Sequence, residues 1–335
     1  MVKKARNLGV TFLLLGSLLL TACVGNEGSE GNAEGETYEF KLGHVASGED
    51  HVYNIAAEHL AEELEERSDG RMTMELYPDG QLGSDEDMIQ QLENGSLDFG
   101  LITGASLTSK SEAMSAWFAP FLFDSYEDTL EASNQEVSKD ILETLEGSGL
   151  KAEDYFFAGF RLMMFRDKIE TPDDIEGLTL RVTPSPALED WYRMLGASPE
   201  SIPLPDVYQS AETGVIDGME MDLDAAVSSN FDEVTGYGAM TNHMVWPTVI
   251  TMNEDLFDKM SDEDQEIVEE AIADTSEYAT LERADQEDEY IDTLEDRGME
   301  LYDMDEELFD TYTEEFDKEY EEKDPLIKEF IEEFR

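Results

Sequence analysis

Residues 37–45 read Thr-Tyr-Glu-Phe-Lys-Leu-Gly-His-Val. Tyr38, Phe40 and Leu42 alternate with polar neighbours, the pattern of a strand with one buried face. Beyond them Val52, Ile55, Ala56, Leu60 and Leu64 fall at helical spacing, and Gly70 closes the segment. Met72, Met74 and Leu76 alternate again. Ser84 and Asp87 make the capping start of a second helix, which carries Met88, Ile89 and Leu92 and stops at Gly95. Leu97–Ile102 then reads as a buried strand. Strand and helix in strict turn predict βαβ units and a largely parallel sheet.

The alternation resumes downstream. Phe160–Phe165 and Leu178–Val182 read as strands, and Thr171-Pro172-Asp173-Asp174 between them carries N-cap, proline and acidic first-turn signals of a helix. Short helices follow over Pro186–Leu195 and Pro205–Thr213, and Val245–Thr251 reads as a strand. Ser261 to about Arg297 is one long acidic amphipathic helix, opened by a capping box of Ser261 and Asp264. A helix of that length predicts an element that spans two domains. No internal repeat is visible.

The N-terminus has the syntax of an export signal. Lys3, Lys4 and Arg6 precede the weakly polar to apolar stretch Leu8–Leu20, which is shorter than the about 20 apolar residues of a membrane span. It ends in Leu20-Thr21-Ala22-Cys23, and Cys23 is the only cysteine. This looks like a bacterial lipobox, so residues 1–22 are expected to be removed and Cys23 to carry a lipid. Val24–Glu36 is rich in Gly, Glu, Asn and Ser, so residues 23–36 are expected to form a flexible leash. No cysteine is left for a disulfide or a thiolate metal cluster.

Losing Lys3, Lys4 and Arg6 with the leader takes the net charge from −61 to −64. Such acidity argues against nucleic acid and anionic lipid headgroups as partners. Disorder is the usual outcome of such charge, but 40% of the residues are apolar and periodic, so the chain is expected to fold beneath a carboxylate coat.

Cations are scarce and therefore informative. Arg161, Arg166, Lys168, Arg181 and Arg193 are close in sequence, and Arg161 and Arg181 lie on otherwise apolar strands. A buried guanidinium must meet an anion. That anion is either one of the chain's own carboxylates or the carboxylate of a ligand, which the planar fork binds with two parallel hydrogen bonds. Signatures of hydrolases, zinc proteases, phosphate loops and dinucleotide sites are missing, so no catalytic residue, metal or cofactor is expected. His51 and His59 are eight apart and are read as solvated or capping groups rather than a metal pair.

A series of motifs then appears in order: Leu76-Tyr77-Pro78 with Gln81-Leu82-Gly83, Leu92-Glu93-Asn94-Gly95-Ser96-Leu97-Asp98, Ala119-Pro120-Phe121-Leu122-Phe123 and Gly159-Phe160-Arg161. Thr171-Pro172-Asp173-Asp174-Ile175-Glu176-Gly177-Leu178, Leu180-Arg181-Val182, Leu195-Gly196-Ala197-Ser198-Pro199, Val207–Gly218 and Thr241-Asn242-His243 follow. In these the chain resembles the DctP-like substrate-binding proteins of tripartite ATP-independent periplasmic (TRAP) transporters, from about Tyr38 to Met299. The resemblance implies an α/β, two-lobed periplasmic-binding-protein-like fold with a hinge and a long helix across both lobes. Lobe 1 would hold residues 37–158 plus 247–286, and lobe 2 residues 159–246 plus 287–335.

The resemblance also implies that Arg181 grips a ligand carboxylate and that Arg161 assists, while Arg166 is left to a salt bridge. Thr103, at the end of a buried strand, Trp246, as a stacking wall, and His44 are further expected contacts. After Asp217-Gly218 many relatives carry Gln-Glu-Asn; here Met219-Glu220-Met221 keeps Glu220 and replaces the amide by Met221, which disfavours ligands that need that amide. Glu220 is also a candidate partner for a cation accompanying the ligand. The expected function is capture of a small organic anion by lobe closure and delivery to membrane permease subunits, by a lipid-anchored monomer outside the cytoplasm. Alternatives are a lipoprotein of another importer or sensor, or a compatible-solute receptor of the ectoine kind.

The acidic coat should be tolerated only where it is screened, since at about 1 M salt the Debye length is ~3 Å. Urea unfolding of the mature chain is expected to move to clearly higher midpoint between dilute buffer and molar sodium chloride. An unchanged midpoint would remove the basis for a halophilic origin.

Overall fold

The computed structural model describes residues 35–335. The expected signal peptide, Cys23 and the leash up to residue 34 lie outside the described residues. Among the described residues there are eleven strands: β1 (Tyr38–Gly43), β2 (Met72–Tyr77), β3 (Phe99–Thr103), β4 (Leu150–Phe160), β5 (Leu162–Phe165), β6 (Thr179–Val182), β7 (Ser198–Ser201), β8 (Gly218–Met221), β9 (Tyr237–Met240), β10 (Val245–Asn253) and β11 (Glu300–Asp303). They form a five-stranded sheet, β2-β1-β3-β10-β4, and a six-stranded sheet, β11-β9-β5-β8-β6-β7.

The first sheet begins as the alternation predicts. β1 pairs in parallel with β2 and β3, and between them run α1 (Val52–Arg67) and α2 (Asp85–Glu93). Ser84 and Asp87 close a reciprocal capping box at the start of α2. The sheets are mixed rather than largely parallel. β10 runs antiparallel to both β3 and β4, and β5 antiparallel to both β8 and β9. β5 is the strand by which the chain enters the second sheet, and β10 the strand by which it returns to the first.

β10 is buried at all nine positions, although Pro247 cannot donate to a ladder. The register with β4 shifts between Val245 and Pro247, so the proline occupies a bulge.

The crossings between the sheets are short. Arg161 alone separates β4 from β5, and Thr241–Met244 separate β9 from β10. The third crossing is helical. The expected single helix is two, Asp262–Asp285 and Glu287–Asp296, broken at Gln286. The first packs on α1 and β4, the second on the helix Leu223–Ser228 and on β11. A straight rod could not follow both surfaces, and the break lets each half keep its apolar face buried. At that break Arg283 is fully buried, donating Nε–H to the Ala158 carbonyl (3.0 Å) and meeting Glu287 at 2.8 Å.

Gly159 lies in the same crowded place. Its φ of +143° suits glycine, and a Cβ there would stand 2.8 Å from Asp222 Cβ and 3.2 Å from Arg283 Nη2.

Three further expectations change. The signals at Thr171–Asp174 produce one short turn of 3-10 helix, Pro172–Ile175. The sheets divide at Arg161 and at Thr241–Met244, so the expected boundaries after residues 158 and 246 fall inside β4 and β10. The chain's end is not confined to the second lobe. The helix Asp310–Tyr320 packs on Pro186–Met194 of that lobe, but the last helix, Pro325–Phe334, packs on Glu112–Phe118 and Glu136–Glu143 of the first. Its Ile327, Phe330 and Ile331 are buried there.

His51 and His59 do not meet. His51 caps α1, accepting from the Tyr53 amide, and the His59 ring stacks on Tyr278.

Candidate ligand-binding site

The ends of strands from both sheets converge on one cavity with about 550 Å³ of space between its atoms. The first lobe contributes Val45 and Ala46 beyond β1, Thr103 at the end of β3, Asp85 at the start of α2, and Trp246. The second contributes Arg181 of β6, Met221 at the end of β8, Asp222, and the turn Pro203-Leu204-Pro205. Strand ends in α/β sheets are where ligands commonly bind, because the backbone there opens outward.

The two arginines expected on apolar strands have opposite environments. Arg161 is saturated by its own protein. Its Nη1 donates to Asp222 Oδ2 at 2.7 Å, its Nη2 to the Glu220 carbonyl at 2.8 Å, and its Nε to the Glu220 carboxylate. The guanidinium also lies 3.9 Å from the centroid of the Trp246 ring, a cation–π contact. Burial alone would lower its pKa, but Glu220 and Asp222 outweigh that and hold it up.

Arg181 is 1% exposed and forms no ion pair among the described residues. Its Nε donates to the Ile202 carbonyl at 2.7 Å, and its Nη1 reaches only the Met221 sulfur at 3.9 Å. Burial pulls its pKa down to about 10; Glu220 opposes this and Arg161 adds to it. A buried cation held by one carbonyl and a thioether is poorly compensated. An anion entering the cavity would supply what is missing.

Met221 stands between the two, its sulfur 4.0 Å from Arg161 Nη2 as well. Where an amide would add a donor, the thioether leaves a soft apolar surface.

Of the expected contacts, Arg181, Arg161, Trp246, Thr103 and Met221 all line the cavity. Two do not. Glu220 lies behind Arg161 and serves it, and among the described residues no cluster of acids or histidines is arranged to hold a metal. His44 is fully buried beside Tyr53, and neither ring nitrogen has a partner. Burial, with His51 nearby, lowers its pKa to about 3, so the ring is neutral core. Its neighbour Val45 takes the place at the wall. Arg166 is exposed and makes no ion pair among the described residues, so its expected salt bridge is not formed; in water its charge needs none. Arg193 pairs with Glu189 and Asp190, and Lys168 with Glu300, on the surface.

Asp85 was not legible beforehand. It is 6% exposed at the cavity wall, and its Oδ2 accepts from Thr103 Oγ1 at 2.7 Å and Ser106 Oγ at 3.0 Å. In a chain with 82 acidic residues, only packing separates it from its neighbours Glu86 and Asp87.

A cavity between two lobes, lined by a buried arginine that has no ion pair among the described residues, is the arrangement of a two-lobed solute-binding protein. Residues 42–324 match the model of the bacterial extracellular solute-binding proteins of family 7, DctP, and the chain belongs to that family, the substrate-binding proteins of TRAP transporters. It is a family of transport receptors, not of enzymes. A solute-binding protein of Roseobacter denitrificans is 33% identical over 239 residues, 71% of this chain and 73% of that one. The C4-dicarboxylate-binding protein of Bacillus subtilis is 28% identical over 240 residues, 71% and 68% respectively. The crystal structure of a TRAP periplasmic solute-binding protein from Sulfitobacter sp. NAS-14.1, with bound β-D-galacturonate, superposes with a TM-score of 0.83 at 26% identity, covering 89% of this chain and 99% of that one.

The two arginines should respond oppositely to the same change. Arg161→Met leaves Glu220 and Asp222 buried without a counter-charge and is expected to cost about 3–5 kcal/mol of stability. Arg181→Met removes a poorly compensated cation and should cost less than about 1 kcal/mol in ligand-free protein. Urea unfolding of both variants without ligand, in molar salt, measures the difference; equal losses would contradict the division of roles.

Proposed function

We propose that this chain is the extracytoplasmic receptor of a TRAP transporter that captures a carboxylate-bearing solute by lobe closure and hands it to the membrane permease subunits. The observation that carries this is Arg181: buried, lining the cavity, and without an ion pair among the described residues. A ligand carboxylate accepts two parallel hydrogen bonds from its terminal nitrogens. Arg161, neutralised by Glu220 and Asp222, stiffens the wall and carries Trp246 on its face. Thr103 and Met221 shape the remainder.

Closure follows from where these groups sit. Arg181 belongs to one lobe, and Thr103 and Trp246 to the other, so a solute touching both binds the closed form better than the open one. That difference in affinity is what shifts the equilibrium. No bond is made or broken. The bound solutes named for the Sulfitobacter and Bacillus relatives, a uronate and C4-dicarboxylates, share the carboxylate that Arg181 suits.

The leader and Cys23 support a lipid anchor, with residues 23–36 as a leash that keeps the receptor near its permease while the lobes move. The acidic coat supports a saline habitat, where distant carboxylates are screened and the buried guanidinium is not.

Calorimetry with a bound organic acid tests the site. Arg181→Ala strands that carboxylate in the cavity and is expected to cost about 3–5 kcal/mol, or two to three orders of magnitude in Kd. Arg181→Lys should also lose affinity, because a point charge does not replace the fork. Near-normal affinity in Arg181→Ala would overturn the assignment. For the anchor, Cys23→Ser is expected to move the protein from the membrane fraction to the soluble extracytoplasmic fraction. Unchanged fractionation would refute lipidation at Cys23.

A further inference from the structure

Asp224 is a buried carboxylate that belongs neither to the ligand cavity nor to the Arg161 cluster. It stands in the first turn of the helix Leu223–Ser228 of the second lobe and is 1% exposed. Its Oδ2 accepts the amide of Val52 at 2.8 Å, and Val52 is the first residue of α1 in the first lobe. The first amides of a helix have no acceptor within it. His51 caps α1 from its own side, but its Nδ1 takes the Tyr53 amide and lies 3.4 Å from Asp224. The opposite lobe therefore supplies the acceptor for Val52.

The seam is close around this bond. A Cβ on Gly48 would stand 3.1 Å from Ser228 Cβ, so the loop before α1 lies against the helix at a distance that a side chain would crowd. Tyr290 donates its hydroxyl to the Asp50 carbonyl at 3.1 Å. Asp224 lines the recess between these groups and not the ligand cavity. Elsewhere along the seam the Thr108 hydroxyl reaches Ser185 Oγ at 3.2 Å.

We propose that Asp224 is a positioning residue for lobe closure: docked on the start of α1, it stabilises the closed form and tightens the binding of every solute by the same factor. The inference rests on the reading of this chain as a receptor that closes on its ligand. When the lobes part, Asp224 and the Val52 amide exchange their bond for bonds to water, so the clasp acts on the closed form alone. A change in the closed fraction multiplies each apparent Kd equally, whatever the solute. Arg181 differs, since it acts through the ligand it holds. Burial pushes the pKa of Asp224 up, and Asp222 adds to this, while His51, Arg283 and the Val52 amide oppose it. The charge is thus a cost of closure and the hydrogen bond the gain, and a neutral acceptor of the same shape serves nearly as well.

Calorimetry in molar salt tests this with D-galacturonate, D-glucuronate, L-galactonate, succinate and malate as probes. Asp224→Ala leaves Val52 without its acceptor and is expected to weaken each acid that binds by about tenfold, the same factor for all. Asp224→Asn keeps an acceptor and should restore binding to near the wild-type value. Urea midpoints of both variants without ligand should match the wild type, because the bond joins the lobes and not the core of either. A loss in Asp224→Ala that differs from acid to acid would make Asp224 a ligand contact, and a lowered ligand-free midpoint would make it part of the fold; either overturns the proposal. So does wild-type affinity in Asp224→Ala, or an Asp224→Asn variant that binds as weakly as Asp224→Ala. Arg181→Ala keeps the two readings apart. If binding is lost there and intact in Asp224→Ala, only the present inference fails. If Arg181→Ala binds as well as the wild type, or the wild type binds none of the probes, the receptor reading fails and takes this inference with it.

Discussion

The cluster of Arg161 with Glu220 and Asp222 sits at the one residue that joins β4 to β5. A guanidinium and two carboxylates are costly to bury apart and tolerable together, so the crossing strand and the end of β8 are held in one arrangement. The cluster also consumes the charge of Arg161. Of the two arginines that line the cavity, Arg181 is the one left without an ion pair among the described residues. Had Glu220 or Asp222 been elsewhere, two free guanidinia would face the solute, and a doubly charged ligand would fit the space better.

The same arithmetic explains why Met221 is tolerable between two cations. A second carboxylate there would quench Arg181, and an amide would compete for its donors. A thioether does neither, and it leaves the terminal nitrogens of Arg181 turned toward the cavity.

Much of the fold was legible in local pattern. The alternation at Tyr38, Phe40 and Leu42, the helical spacing from Val52 to Leu64 and the capping box at Ser84 correspond to β1, α1 and α2. Tertiary packing decided the rest. No periodicity distinguishes a continuous helix over Ser261–Arg297 from one bent at Gln286, since the bend only redirects the apolar face. Strand direction in β10 and β5 depends on which sheet the chain is returning to, and local spacing does not carry that. In the site, scarcity made the cations readable: Arg161 and Arg181 stood out on apolar strands, but only the structure shows that Arg161 is taken up by Glu220 and Asp222. Abundance hid the anions. Asp85 has the same local chemistry as Asp87, and only its burial against Thr103 and Ser106 distinguishes it. His44 was a rare residue near the site that proved to be core, because a neutral imidazole packs like any ring.

The return of the last helix, Pro325–Phe334, to the first lobe has a mechanical consequence. β1, the first strand of the chain, is also in that lobe, so both ends of the folded body belong to the same jaw. A pull applied at either end would load that jaw first, and the second, which carries Arg181, would feel it through the crossings and through contacts such as Val52 to Asp224 and Thr108 to Ser185.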